Sequence, residues 1–74
     1  MNYDVRITGR IIAELRRRKG ITQEVLSGLA GIARSHLAEI ENGSISVKVD
    51  TLWRISDALG LKLSELIRMV EENT

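Results

Sequence analysis

Residues 22–43 read TQEVLSGLAGIARSHLAEIENG, and this stretch decides the fold. Thr22 can open a helix as an N-cap, and Gly31 supplies a tight turn. A second short helix follows over residues 33–41 and stops at Asn42-Gly43, a pair suited to a helix C-cap. Leu26 and Ala30 on the first of these helices, and Leu37 and Ile40 on the second, are expected to face inward. Ser27 is small enough to let the two helices approach, and Ile32 is the apolar residue after the turn. Gly28 lies inside a helix, where glycine costs ~1 kcal/mol relative to alanine, and the sequence offers no reason for it. Val25 and Leu29, four apart, look outward. Two helices this short bury little by themselves. They need flanking segments as a platform, and they are suited to presenting the outer side of the second helix: Arg34, Ser35, Ala38 and Glu39, with His36 at the flank.

The flanks supply that platform. Residues 5–19 are predicted as a first helix, with Asp4 or Thr8 as its N-cap and Ile12, Leu15 and Ile11 on its apolar side. Arg16-Arg17-Arg18-Lys19 closes it, where cations suit the negative end of the helix dipole, and Gly20 breaks it. Ile21 packs inward. Beyond residues 44–48 (SISVK), a fourth helix is predicted over 49–59 from Val49, Leu52, Ile55 and Leu59, ended by Gly60. Leu61 docks, and a fifth helix over 63–72 carries Leu63, Leu66, Ile67 and Val70. The expectation is an all-α chain of five helices forming one domain over residues 1–74.

Composition narrows the function classes. The chain has 74 residues, no cysteine and no proline. Disulfides and thiolate metal sites are excluded, and a single histidine, His36, argues against a histidine-built zinc site. No cofactor is expected. No carboxylate pair, nucleophile–base couple or phosphate loop can be assembled, so no enzyme is expected either. Apolar runs are far too short for a membrane span, and MNYDVRITGR lacks the core of a signal peptide, so a cytoplasmic setting is expected. Net charge is only +1, but residues 1–34 carry +4 and residues 35–74 carry −3. Such a split steers a polyanion toward one face, although solvated helix surfaces explain it about as well.

Arg16, Gly20-Ile21-Thr22-Gln23, Leu26, Ala30-Gly31-Ile32, Leu37, Ile40-Glu41-Asn42-Gly43, Thr51-Leu52 and Ala58-Leu59-Gly60 together resemble the Xre, Cro and phage-repressor class of helix-turn-helix regulators. The resemblance runs from about residue 7 to 68. It implies a compact lambda-repressor-like DNA-binding domain, with helices two and three as the helix-turn-helix. Residues 33–41 then form a recognition helix whose N-terminal part reads base edges in the major groove. Arg34 is the leading reader, since a guanidinium can donate two bonds to guanine; Ser35 reads weakly, and Glu39 accepts from cytosine or orients Arg34. Ala33 can offer a methyl to thymine.

By the same resemblance, Thr22, Gln23 and His36 face phosphates, and Asn42, Ser44 and Lys48 grip the sugar-phosphate backbone. Ordinary capping and loop solvation are the alternative for Asn42, Ser44 and Lys48, and a passive surface role is the alternative for His36. Arg16 and Glu41 are implied to form a largely buried ion pair between helix one and the end of helix three. The departures from the family pattern are Ala33, Lys48 and Lys62 at helix starts that usually carry a capping side chain, Val47 in place of a proline, and Trp53, Val25 and Leu29 at usually polar positions.

One recognition helix reads few base pairs, so a symmetric homodimer on a palindromic double-stranded operator is expected. Leu66, Ile67, Met69 and Val70 of helix five, with Trp53 of helix four, are the expected interface. The alternative is that Met69 and Trp53 merely cover the core or Tyr3. The implied function is a small repressor or controller of transcription. RNA polymerase, through Val25 and Leu29, or an antagonist protein are further candidate partners. The competing reading is an antitoxin or interaction module using the same fold to hold a protein.

Overall fold

A computed structural model describes residues 4–74. Five helices follow in order: α1 (Val5–Arg18), α2 (Gln23–Ala30), α3 (Arg34–Glu41), α4 (Val49–Ala58) and α5 (Leu63–Glu72), with no strand among the described residues. The fold is all-α, as the periodicity predicts. Tyr3 lies outside the described residues.

Local chemistry sets most helix ends. Asp4 caps α1, its carboxylate accepting from the Arg6 amide at 2.9 Å. Thr8, the other candidate cap, is fully buried one turn inside the helix. Thr22 caps α2, its hydroxyl accepting from the Val25 amide at 3.1 Å. Gly31 then takes a left-handed conformation (φ 71°), which lets the Ile32 amide turn back to the Ser27 carbonyl at 3.0 Å. The same six-residue fold-back ends α1, α3 and α4, where Ile21, Ser44 and Leu61 return to Arg16, Glu39 and Ser56. In three of the four cases the residue after the glycine is apolar and packs on the core, so each stop also redirects the chain inward. The starts of α3 and α4 lack a side-chain cap at Ala33 and Lys48. At α5, Glu65 accepts from the Lys62 amide at 2.9 Å, half of a capping box.

Each helix gives the core at least one fully buried aliphatic side chain: Ile12, Leu26, Leu37 with Ile40, Ile55 and Leu66. α1 packs on α3 and α5, and α2 packs on α3 and α4. Two expectations are corrected here. Val49, expected on the apolar stripe of α4, is 66% exposed; it is the first residue of the helix and sits beyond the end of the core. Leu66 and Val70, expected on a dimer surface, are buried within the chain's own core, because α5 closes that core with both of them.

The crossing of α1 and α3 is unusually close. A Cβ added at Gly9 would lie 2.1 Å from the Ile40 carbonyl oxygen and 2.8 Å from that of Glu41. The backbone of α1 therefore rests directly on the last turn of α3. By contrast, a Cβ at Gly28 would meet nothing within 4 Å.

Beside the crossing, the Arg16 guanidinium meets the Glu41 carboxylate through two bonds, Nε to Oε2 at 2.8 Å and Nη2 to Oε1 at 3.0 Å. The side chains are only 12% and 5% exposed. Arg16 Nη1 donates to the Ile21 carbonyl at 3.0 Å, and Gln23 Nε2 donates to Glu41 Oε1 at 2.9 Å. The bonds to Glu41 raise the Arg16 pKa above its ordinary value, against the opposing effect of desolvation. The cluster thus ties the end of α1, the start of α2 and the end of α3 at one point.

Arg16→Ala is expected to lower stability by about 3 kcal/mol, since Glu41 would keep its burial and lose its cation. Thermal and urea melts will measure this. The same melts should separate two glycines: Gly9→Ala is expected to cost about 3 kcal/mol by overpacking a backbone contact, whereas Gly28→Ala is expected to gain about 0.5–1 kcal/mol in an open helical position.

Candidate nucleic-acid interface

The α3 helix has two distinct sides. Leu37 and Ile40 are fully buried. Arg34, Ser35 and Glu39 are exposed, with Ala38 partly so. At about 100° per residue, the exposed set spans one outward arc of about 140° opposite the core. The structure therefore brings the predicted base-reading residues together on one open surface. Arg34 and Glu39 stand at opposite edges of that arc, and no hydrogen bond or ion pair joins them. Glu39 does not orient Arg34 within this chain; a shared ligand would have to bring them into relation. His36 is half-buried at the flank.

The residues expected at phosphates divide into two groups. Thr22 and Gln23 start α2, yet both side chains are already engaged. The Thr22 hydroxyl is the cap, and the Gln23 amide donates to Glu41. The sequence reading missed this second role of Gln23, because nothing in residues 22–23 announces a contact eighteen positions away. Asn42 and Ser44 form a local turn after α3: Asn42 Oδ1 accepts from the Ser44 amide at 2.9 Å and also from the Ser44 hydroxyl. This fixes the loop and leaves both residues exposed. Lys48 is exposed at the start of α4.

Elsewhere, Trp53 is 56% exposed and Ile67 is also exposed. They line an open groove between α4 and α5 with Leu61 and Leu63. Met69 belongs to a different depression, against Ile11, Leu15 and Arg18 of α1. The expected dimer patch is therefore split, and only Trp53 and Ile67 of its five residues share an exposed surface. Val25 and Leu29 are exposed on α2, as expected. Among the described residues, no cluster of His, Cys, Asp or Glu could hold a metal ion, and no helix is long and apolar enough to cross a membrane.

Comparison with known proteins agrees with the fold. A family model described as "Helix-turn-helix" matches residues 12–66. The uncharacterized HTH-type transcriptional regulator y4dJ of Sinorhizobium fredii is 34% identical over 67 residues, covering 90% of this chain and 87% of that protein. The putative antitoxin HigA2 of Mycobacterium tuberculosis is 39% identical over 62 residues, 82% of this chain and 61% of its own length. Among solved structures, the restriction-modification controller protein C.AhdI from Aeromonas hydrophila matches with a TM-score of 0.83 and 32% identity, over 88% of this chain and 98% of that one. The chain belongs to the helix-turn-helix family of Xre and lambda-repressor-like regulators, with α2 and α3 as its helix-turn-helix.

Proposed function

We propose that this protein is a sequence-specific regulator of transcription that binds a two-fold symmetric double-stranded DNA operator as a homodimer. The observation that carries this reading is the bare outer arc of α3, opposite fully buried Leu37 and Ile40. A helix about 10–12 Å across fits the major groove, and Arg34, Ser35 and Glu39 then reach base edges. On this reading His36, Asn42, Ser44 and Lys48 contact the DNA backbone through their side chains, while Thr22 and Gln23, whose side chains are engaged within the chain, offer the amides at the start of α2. The likeness to a transcriptional regulator and to a controller protein, each matched over most of its length, supports the same reading. Its place of work is the cytoplasm, with the DNA.

A two-fold partner would dock on the α4–α5 groove. Trp53 and Ile67 are its exposed apolar anchors, and Leu61 and Leu63 form its floor. Asp57 and Glu71 line it together with Lys62 and Arg68. Both charge signs on one patch allow a surface to complement a rotated copy of itself.

A second reading is favoured by the likeness to HigA2, a putative antitoxin. On that reading the same chain also holds a protein partner, and the exposed Val25 and Leu29 on α2 are the available contacts. An unrelated protein co-purifying with the parent chain but not with Leu29→Asp would establish it.

Selection of bound sites from random duplex DNA should return a palindrome with half-sites about one helical turn apart. Arg34→Ala should lose preference at one symmetric pair of positions, at about 1–3 kcal/mol per site; an unaltered motif would remove Arg34 from the readers. Sedimentation of the parent chain at micromolar concentration should show a dimer, and Ile67→Asp should shift it to monomer with little loss of thermal stability. A parent chain that stays monomeric on and off DNA would reject the groove.

A further inference from the structure

The approach of α1 to the loop after α3 brings in a residue that the recognition helix does not contain. Gly43 ends α3 with φ 78°, and a Cβ placed on it would lie 2.9 Å from both the Cα and the Cγ of Arg6. The stem of Arg6 therefore runs along Gly43, between the exposed residues Asn42 and Ser44. Its side chain is 81% exposed. Among the described residues the guanidinium is held by Asp4, through Nε to Oδ1 and Nη2 to Oδ2 bonds, both 3.3 Å. These bonds are long and water-exposed, and they hold the Asp4 carboxyl below its usual range. Arg10 stands one turn further on the same side of α1, also exposed.

We propose that Arg6 grips a DNA phosphate beside the Gly43–Ser44 loop, extending the interface from the helix-turn-helix onto α1. The proposal rests on the regulator reading given above. Three observations carry it: the packing of Arg6 on the loop that leaves the recognition helix, the exposure of its guanidinium, and the weakness of its present partner. A phosphate offers the same two-oxygen geometry as the Asp4 carboxylate, so the fork can exchange one for the other without changing its donors. Such a contact fixes register on the duplex and adds no base preference. Asp4 then acts as a competitor that keeps Arg6 extended in the free protein.

The test is fluorescence anisotropy of the full chain on its selected site, with salt varied between 50 and 200 mM. Arg6→Gln keeps the stem that packs on Gly43 and removes the charge. It should flatten the slope of log K against log salt by about 0.9 per protomer and leave the selected motif unchanged. Asp4→Asn keeps an N-cap of equal quality, frees Arg6 and should tighten binding at every salt concentration. A parent chain that binds with Arg6→Gln showing the same affinity and slope would overturn the role of Arg6 alone. A changed motif in Arg6→Gln would overturn the phosphate assignment in favour of base contact. A parent chain that distinguishes no duplex would overturn the regulator reading, and this proposal with it.

Discussion

The Arg16–Glu41 pair and the two groups bonded to it hold the molecule's working geometry. A helix of eight residues such as α3 has little stability of its own, and its direction is set by what fastens it. Leu37 and Ile40 fasten one side into the core. The carboxylate at its last residue is fixed by three donors from two other elements, Arg16 Nε and Nη2 and Gln23 Nε2. Apolar packing is tolerant of small rotations. A two-pronged ionic contact with a third hydrogen bond is not, so the cluster adds orientation to the attachment that the core supplies.

Gly9 serves the same end by a different means. Its missing side chain lets α1 lie on the terminal carbonyls of α3, within a distance that any other residue would forbid. α1 thus backs α3 along its final turn, and the cluster locks the two at that point. The outer arc of α3 carries no such obligations, which is why Arg34, Ser35 and Glu39 are available to a ligand. A rigid support under an unencumbered surface is what presenting side chains to a groove requires.

Much of this was legible in the residues. The five helices, their glycine stops and most inward positions followed from spacing, because three- and four-residue recurrence directly encodes a buried face. Arg16 and Glu41 were legible only through family resemblance, since their partnership spans twenty-five positions. Gln23 as a third member and Gly9 as a contact point were not legible. Both depend on how two helices cross, and one chain's periodicity carries no crossing angle. The misreading of Leu66 and Val70 has a related cause. An apolar stripe reveals which side is turned away from water, but not whether the same molecule or a second one covers it. Val49 fails for another reason, because a pattern does not say where the core ends.

The cluster has a consequence for how the protein responds to its ionic surroundings. Arg16 and Glu41 are withdrawn from solvent, so dissolved ions reach them poorly. Arg6 and Arg34 stand in water, where counterions compete with them freely. On the proposed reading, raising ionic strength would therefore separate grip from architecture: the protein would let go of a polyanion while α3 stays aimed. Release would then need no unfolding or rearrangement, and recapture after dilution would begin from a chain already in its competent shape.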